Sequence, residues 1–385
     1  MSFDEVAVLL PDLTLTLRAN LSNWYGIGAS IISSPDVRMR EWSVFVRYQI
    51  QLADLQRRAI LVKIRRHPDQ SISESISSPG LKEEGRNDYE ALKAIENFVS
   101  TAENIPGENN NTNPYGYFSS EEKDHFCAVR PLAFFDPFSA LVMEELEARP
   151  LRNMILNFKT AYHAGWQEQL SNWFYRSGRW LRVYHEQLGK LHEGPFFSDD
   201  IHAALEKSIN VIEPFHDFDF TLVRNVLRQT RAAYKDHNLS FGLLHWNFDC
   251  ANFLVAEDNR IGILDPHFID GPIYMDIAKI MTDLQTYRLQ TLSYGLFIRE
   301  KVMQKFHRSI LQGYFGSEQP DEVAINLYCI YAVLDKWQID EEAEHEHGSE
   351  HGWLHQFIQS HATWRRKYFM KLLSAYVDRL QKLLP

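Results

Sequence analysis

In the first third of the chain apolar and polar residues alternate. Residues 42–50 set Val44, Val46, Tyr48 and Ile50 on one face and Phe45, Arg47 and Gln49 on the other, the two-residue period of a half-buried strand. Residues 59–64 form a short apolar run carrying one lysine, Lys63, and predict a second strand after a turn over 52–57. Residues 29–32 and 139–144 predict further strands of the same sheet. Tyr89, Leu92, Ile95 and Phe98 recur at helical spacing and predict a helix over 87–100. Residues 1–25 have a mixed pattern, a strand or a helix on the outside of this first lobe. Residues 70–80 are Ser-rich and predict a flexible loop, as do residues 102–117.

Beyond Leu151 the pattern turns helical. Leu181, Tyr184, Leu188 and Leu191 follow one stripe that runs to His192-Glu193-Gly194, with Gly194 placed as a helix cap. Further helices are predicted over 201–212, 220–237, 276–290, 298–314 and 364–384. Between them lies a stretch of different character, residues 243–276. Two apolar runs, 253–255 and 261–264, flank Glu257-Asp258-Asn259-Arg260, and an Asp-Asn pair tolerates the left-handed backbone of a tight hairpin turn. A turn centred on Asp258 and Asn259 sets Asn252 opposite Asp265. An amide oxygen and a carboxylate at one open end suit Mg²⁺, which takes one or two protein oxygens plus phosphate. His245 and Asp249 lie on the loop leading into that end.

Bulk composition narrows the classes. A chain of 385 residues makes two lobes the natural expectation. A net charge of −11 and the lack of a basic stripe argue against a nucleic-acid partner. Three scattered cysteines, Cys127, Cys250 and Cys329, are no disulfide framework and favour a reducing compartment. The first residues show no basic region ahead of an apolar one, and no run of 18 apolar residues occurs, so a cytoplasmic protein with no membrane span is expected. Residues 340–355 mix His345, His347 and His351 with acids. The spacing fits no compact zinc pattern, and a solvated loop is the expectation there.

The order His245, Asn252, Asp265 and Asp276 resembles the phosphotransferase enzyme family of aminoglycoside phosphotransferases and choline kinases, whose pattern is His-x-Asp-x-x-x-x-Asn with a further Asp about a dozen residues on. The resemblance covers residues 29–316. One position departs: Asn247 stands where the family has its catalytic-loop Asp, and an Asp follows at Asp249. The resemblance implies an α+β, two-lobed protein-kinase-like fold. An antiparallel sheet plus helix forms an N-terminal nucleotide-binding lobe over 1–145, and a larger, mainly helical lobe covers 146–385.

It further implies that Lys63 holds the phosphates of ATP and pairs with Asp88, or failing that Glu90. Met143, Glu144 and Glu145 become the connector whose backbone reads the adenine. Asn252 and Asp265 become the Mg²⁺ ligands, and His245, Asn247 and Asp249 the catalytic loop. The expected partner is a small molecule with a hydroxyl group. The loop over 34–41, expected to cover the phosphates, has no glycine, leaving Arg38, Arg40 and Ser43 as side-chain donors. Asn247 can orient a hydroxyl but cannot take its proton. Three readings stay open: an active enzyme with Asp249 as base, a pseudokinase that binds nucleotide or a partner without transfer, or an interaction scaffold in which the site is a structural relic.

Overall fold

The computed structural model describes residues 3–101, 125–215, 218–347 and 353–385. The chain forms two compact units. Within the described residues, the first comprises residues up to 101, 125–148 and 254–268, and the second comprises 149–253 and 269–385. The expected loop over 102–117 and His351 fall outside the described residues. Among those described, no helix is long and apolar enough to cross a membrane.

The first unit is an antiparallel sheet with a helix on each face. Its strands are Ser30–Ile31 (β1), Asp36–Met39 (β2), Ser43–Gln51 (β3), Arg57–Arg65 (β4), Pro131–Phe135 (β5) and Ala140–Glu144 (β6). The order is β1-β3-β4-β6-β5, with β2 also paired to β3. The alternation read in 42–50 holds. Val44, Val46, Tyr48 and Ile50, with Ile60, Val62 and Ile64 of β4, are buried on one face. That face packs on Val6, Leu13, Leu17 and Leu21 of the helix Phe3–Tyr25 (α1). Seven- and four-residue steps put those four on one stripe, which the helix retains across Pro11. The opposite face of β4 carries Leu61, Lys63 and Arg65, because side chains alternate along a strand. Leu61 packs there with Leu141, Met143 and Leu92 of the helix Pro79–Thr101 (α3).

Two expectations change in this unit. Residues 70–80 are not all loop: Ile72–Ser77 is a helix (α2), started by a capping box in which Ser71 and Glu74 satisfy each other's backbone N–H groups. Polar Ser-rich composition hid a helix-start signal. The segment expected to drape over phosphates is instead β2, bonded to β3 from Asp36↔Arg47 to Met39↔Val44. There Arg38 is exposed and pairs with Asp36, and Ser43 is buried in β3.

Residues 254–268 join the first unit through backbone bonds. Phe253–Ala256 (β10) turns into Ile261–Ile263 (β11) at Asn259, whose φ is +66°. The amide of Cys127 donates to Ile261 O at 2.9 Å, and that of Ile261 donates to His125 O at 2.8 Å.

The second unit is mostly helical: Leu151–Ile155 (α4), Lys159–Tyr162 (α5), Ala164–Gln187 (α6), Asp199–Ile212 (α7), Phe220–Ala233 (α8), Tyr274–Thr286 (α9), Arg288–Leu292 (α10), Glu300–Phe315 (α11), Glu322–His347 (α12) and Trp353–Leu383 (α13). Helices α6 and α11 touch backbone to backbone. A Cβ at Gly178 would lie 2.1 Å from Ile310 O, and one at Gly313 would lie 2.0 Å from Tyr175 O. The first half of helix α12, residues 323–334, is apolar nearly all round and buried, with Leu327, Tyr328, Val333 and Leu334 sealed from solvent, and Trp337 follows one turn on. The helix packs on α7, α9 and α13. Residues 340–347 continue that helix rather than forming a solvated loop, and Glu341 is buried against Arg366 at 2.7 Å. Residues 192–194 also differ from expectation: α6 stops at Gln187, and Gly194 lies in the strand His192–Pro195. With Ala148–Pro150 taken as β7, that strand is β8. It pairs with Asn238–Leu244 (β9), and β9 pairs with Ile269–Pro272 (β12).

Candidate active site

In the first unit, the charged face of β4 meets α3 and the segment after β11. Lys63 Nζ donates to Asp88 Oδ2 at 3.1 Å and forms a short contact to Asp265. Arg65, two residues on and therefore on the same face, takes Asp88 with two nitrogens: Nη2 at 2.7 and 2.8 Å from the two carboxylate oxygens and Nε at 3.1 Å from Oδ2. Its Nη1 also reaches Glu84 at 3.1 Å. The result is an alternating row: Arg65, Asp88, Lys63, Asp265. Lys63 and Asp88 are almost wholly buried in it, at 11% and 6% side-chain exposure, while Asp265 is about one-third open at 35%. Burial pushes the Asp265 carboxyl up, but the Lys63 charge and hydrogen bond overcome it and hold the group down at about 2. Asp265 sits at φ +58°, a left-handed position that Asp tolerates.

In the second unit, β9 ends at Leu244 and releases the loop His245 to Asn252. Its pairing with β12, Ile269↔Leu244 through Pro272↔Phe241, brings the start of α9 beside that loop. Asp276, in the first turn of α9, accepts the backbone N–H groups of His245 at 2.7 Å and Trp246 at 2.8 Å. His185 Nε2 lies 3.1 Å from the same carboxylate, and Tyr314 OH is 2.9 Å from His185 Nδ1. Asp249 Oδ1 accepts from Ala251 N at 2.8 Å and Asn252 N at 3.1 Å. Asn252 Nδ2 donates to Asn247 O at 2.9 Å, leaving its Oδ1 as the available ligand atom. Asp283 accepts from Cys250 N at 3.0 Å. Burial, then the Asp283 charge, pushes the Asp249 carboxyl up to about 6 against its two backbone hydrogen bonds and Arg152.

No family model matches the sequence, and no curated protein matches it. Solved structures do. A candidate aminoglycoside phosphotransferase from Ralstonia eutropha superposes with TM-score 0.53 at 10% identity, over 96% of this chain and 98% of that one. The chain has the fold of the small-molecule phosphotransferases. A choline kinase from Cryptosporidium parvum gives TM-score 0.49 at 10% identity, over 97% of this chain and 99% of the other. A choline/ethanolamine kinase family protein from Mesorhizobium loti gives 0.48 at 12%, over 96% and 99%. At such identities the likeness speaks for fold and leaves the reaction to be argued from the site.

Within this phosphotransferase fold, the expected pairing of Lys63 with Asp88 is present. Two other expectations need adjusting. His245 is fully buried among Trp180, Tyr184 and Phe248, with ring centroids at 6.2, 6.2 and 5.6 Å. A sealed ring shapes the loop from inside and does not reach an acceptor. Glu144 N and Glu145 N already donate to Arg130 O and Ala59 O at 2.9 and 2.8 Å. Met143 lies in the ladder opposite Leu61 and Pro131, so these three amides are engaged within the sheet. The Glu144 side chain pairs with Arg58 and Arg130, and that of Glu145 pairs with Arg47.

Sequence reasoning missed Arg65, although its two-residue offset from Lys63 was a signal that it shares the lysine's face. It also missed Asp283, which comes from α9 to a loop some thirty residues earlier, and no local pattern announces that.

Proposed function

We propose that the chain is an ATP-dependent phosphotransferase acting on a hydroxyl group of a small molecule. The observation that carries this is Lys63, a nearly buried ammonium held by Asp88 on one side and Asp265 on the other. A buried cation with a removable acidic neighbour is suited to receive phosphate oxygens, and Arg65 keeps Asp88 oriented when Lys63 turns to them. The donor chemistry fits Mg²⁺: Asn252 offers an amide oxygen and Asp265 an ionised carboxylate, both hard oxygens. Among the described residues no group of three or more His, Cys, Asp or Glu side chains forms a metal site by itself, in keeping with an ion that shares its shell with phosphate. Bound Mg²⁺ would neutralise the charge of the transferring phosphoryl group.

Asn247 orients the acceptor hydroxyl by hydrogen bonding. Asp249, with its carboxyl near 6, is ionised at neutral pH yet basic enough to take the hydroxyl proton as the new P–O bond forms and ADP leaves. A second reading, a pseudokinase, is favoured by Asn247 itself, since an amide accepts no proton. Three cysteines that are all free and buried are in keeping with a cytoplasmic setting.

Thermal unfolding with millimolar ATP and Mg²⁺ tests the proposal. The melting temperature should rise with nucleotide by mass action, and Asp265→Ala should remove the magnesium-dependent part of that rise. No rise, together with no heat of binding, refutes nucleotide binding and with it the phosphotransferase, and leaves only a pseudokinase or scaffold that binds a partner.

A further inference from the structure

In the second unit, three segments far apart in the chain raise large apolar side chains into solvent. Phe158 and Tyr162 do so at α5, Leu296 on the loop after α10, and Trp364 on α13. Each is more than half exposed, and Leu296 reaches 78%. Ring contacts join the segments: Phe158 meets Phe297 at 6.4 Å between centroids, and Tyr294 meets Trp364 at 6.0 Å. The loop that carries Leu296 is held in place. Tyr294 and Gly295 take consecutive left-handed positions, at φ +54° and +86°. The side-chain amide of Gln290 bonds both the N–H and the C=O of Ile298, at 2.7 and 3.0 Å. A backbone fixed at such a position keeps Leu296 out of the core and in water. Exposed apolar side chains gathered in one place mark a binding surface. All these residues belong to the second unit.

The charge around this patch is one-sided. Residues 157–162, 289–301 and 363–371 carry Lys159, Arg299, Lys301, Lys367 and Lys371, all exposed, and their one acid is Glu300. Among the described residues none of these five cations has a carboxylate in ion-pair range. Their neighbours Arg365 and Arg366 are taken by Asp340 and Glu341. Lys371 Nζ lies 4.8 Å from the Tyr294 ring centroid, which ties the cations to the aromatic side chains. In a chain of net charge −11, such a patch calls for an anionic partner. Residue type then chooses among anionic partners. Protein interfaces favour arginine and are depleted in lysine, yet four of the five cations are lysines. A second copy of this chain, docked by the same face, would set these cations against themselves. An anionic bilayer takes both features at once. Leucine and aromatic rings enter the boundary below the headgroups, while lysine stems lie along it with their ammonium groups at the phosphates.

We propose that this face, with Leu296 at its tip, docks the protein on an anionic lipid surface. The docking is peripheral and reversible, since side chains supply it and no helix among the described residues can span a membrane. It stands apart from the phosphotransferase reading, because no residue of the candidate active site takes part.

Co-sedimentation of the full chain with vesicles tests this, using phosphatidylcholine alone and phosphatidylcholine with about one-third phosphatidylserine. The natural protein should bind the anionic vesicles at least about tenfold more tightly than the neutral ones, and about 0.5 M salt should remove most of that difference. Leu296→Glu should weaken binding to the anionic vesicles at least about tenfold. Lys301→Gln/Lys367→Gln, which leaves every apolar side chain in place, should weaken it about tenfold as well. The double variant decides alone if Leu296→Glu does not fold. No binding to the anionic vesicles, equal binding to both kinds, or a folded variant that binds like the natural protein overturns the proposal. Sedimentation velocity without lipid tests the other occupant. Leu296→Glu should leave the oligomeric state as it is in the natural protein. Self-association that Leu296→Glu abolishes overturns the proposal and gives the face to a second copy of the chain.

Discussion

In the first unit Asp265 faces Lys63 and Arg65, and its carboxyl is held at about 2 in spite of burial. In the second unit Asp249 is also largely buried, but its first charged neighbour is another carboxylate, Asp283, and it is pushed up to about 6. The same side chain is thus tuned in opposite directions by its company. One acid is made permanently anionic, fit to hold a cation. The other is made proton-avid near neutrality, fit to move a proton. Pairs of titratable groups whose surroundings push them apart mark a division of labour, and this pair divides along the roles proposed here.

Substitutions can break that comparison. The largest effect belongs to Asp249→Asn, which should lower turnover by about 10²–10⁴-fold while leaving nucleotide affinity nearly unchanged, as single-turnover and binding measurements would show. A parallel loss of affinity would mean that the two acids do the same job. Next, Lys63→Ala removes the cation that sets Asp265 apart. ATP affinity should fall about 10–100-fold, the worth of one charge-assisted hydrogen bond, and the nucleotide-dependent rise in melting temperature should nearly vanish.

Smaller still is Arg65→Gln, which leaves Asp88 to Lys63 alone and should cost about 1–3 kcal/mol in urea unfolding. Arg65→Lys should recover only part of it, because one ammonium cannot replace the Nε and Nη2 that both donate to Asp88.

The smallest effect sharpens the comparison through pH. A carboxyl raised on folding gives stability that is present at low pH and lost as pH rises from about 4 to 6. A lowered one gives stability that is present above about 4 and lost as pH falls towards 2. Asp249→Asn should therefore stabilise the protein by about 1–2 kcal/mol at pH 7 and by nothing at pH 4. Asp265→Asn should destabilise it at pH 7 and not at pH 2.

How legible this was in the sequence varied with the range of the interactions. The alternation in β3 and the lysine in β4 were readable because a strand's two faces follow from a period of two. The hairpin turn was readable because few residues accept Asn259's left-handed backbone. Helix α12 was not readable, since its first half is apolar on all sides and its second half is acidic and polar, so no single face repeats along it. Helix α1 stayed undecided between strand and helix because residues 1–25 have a mixed pattern, in which Pro11 lies inside a helix that continues past it. His245 could be placed on the loop from its spacing, but its burial under Trp180 and Tyr184 depends on α6, sixty residues away. The environments of Asp249 and Asp265 were illegible for the same reason. Asp283 and Lys63 lie far from them in the chain, and a carboxylate's pKa is set by neighbours in space.

The central claim is that Asp249 performs the proton chemistry that Asn247 cannot, and the pH profile of turnover tests it most directly. Steady-state kcat/KM for ATP-dependent phosphorylation of hydroxyl acceptors should be measured from pH 5 to 8, for the natural protein and for Asp249→Asn. The account predicts a rate that climbs with the ionised fraction of Asp249 and levels off above about pH 6, with the climb absent from the variant. A natural protein that binds ATP and Mg²⁺ yet turns over no acceptor at any pH, or a profile that survives Asp249→Asn unchanged, would contradict it.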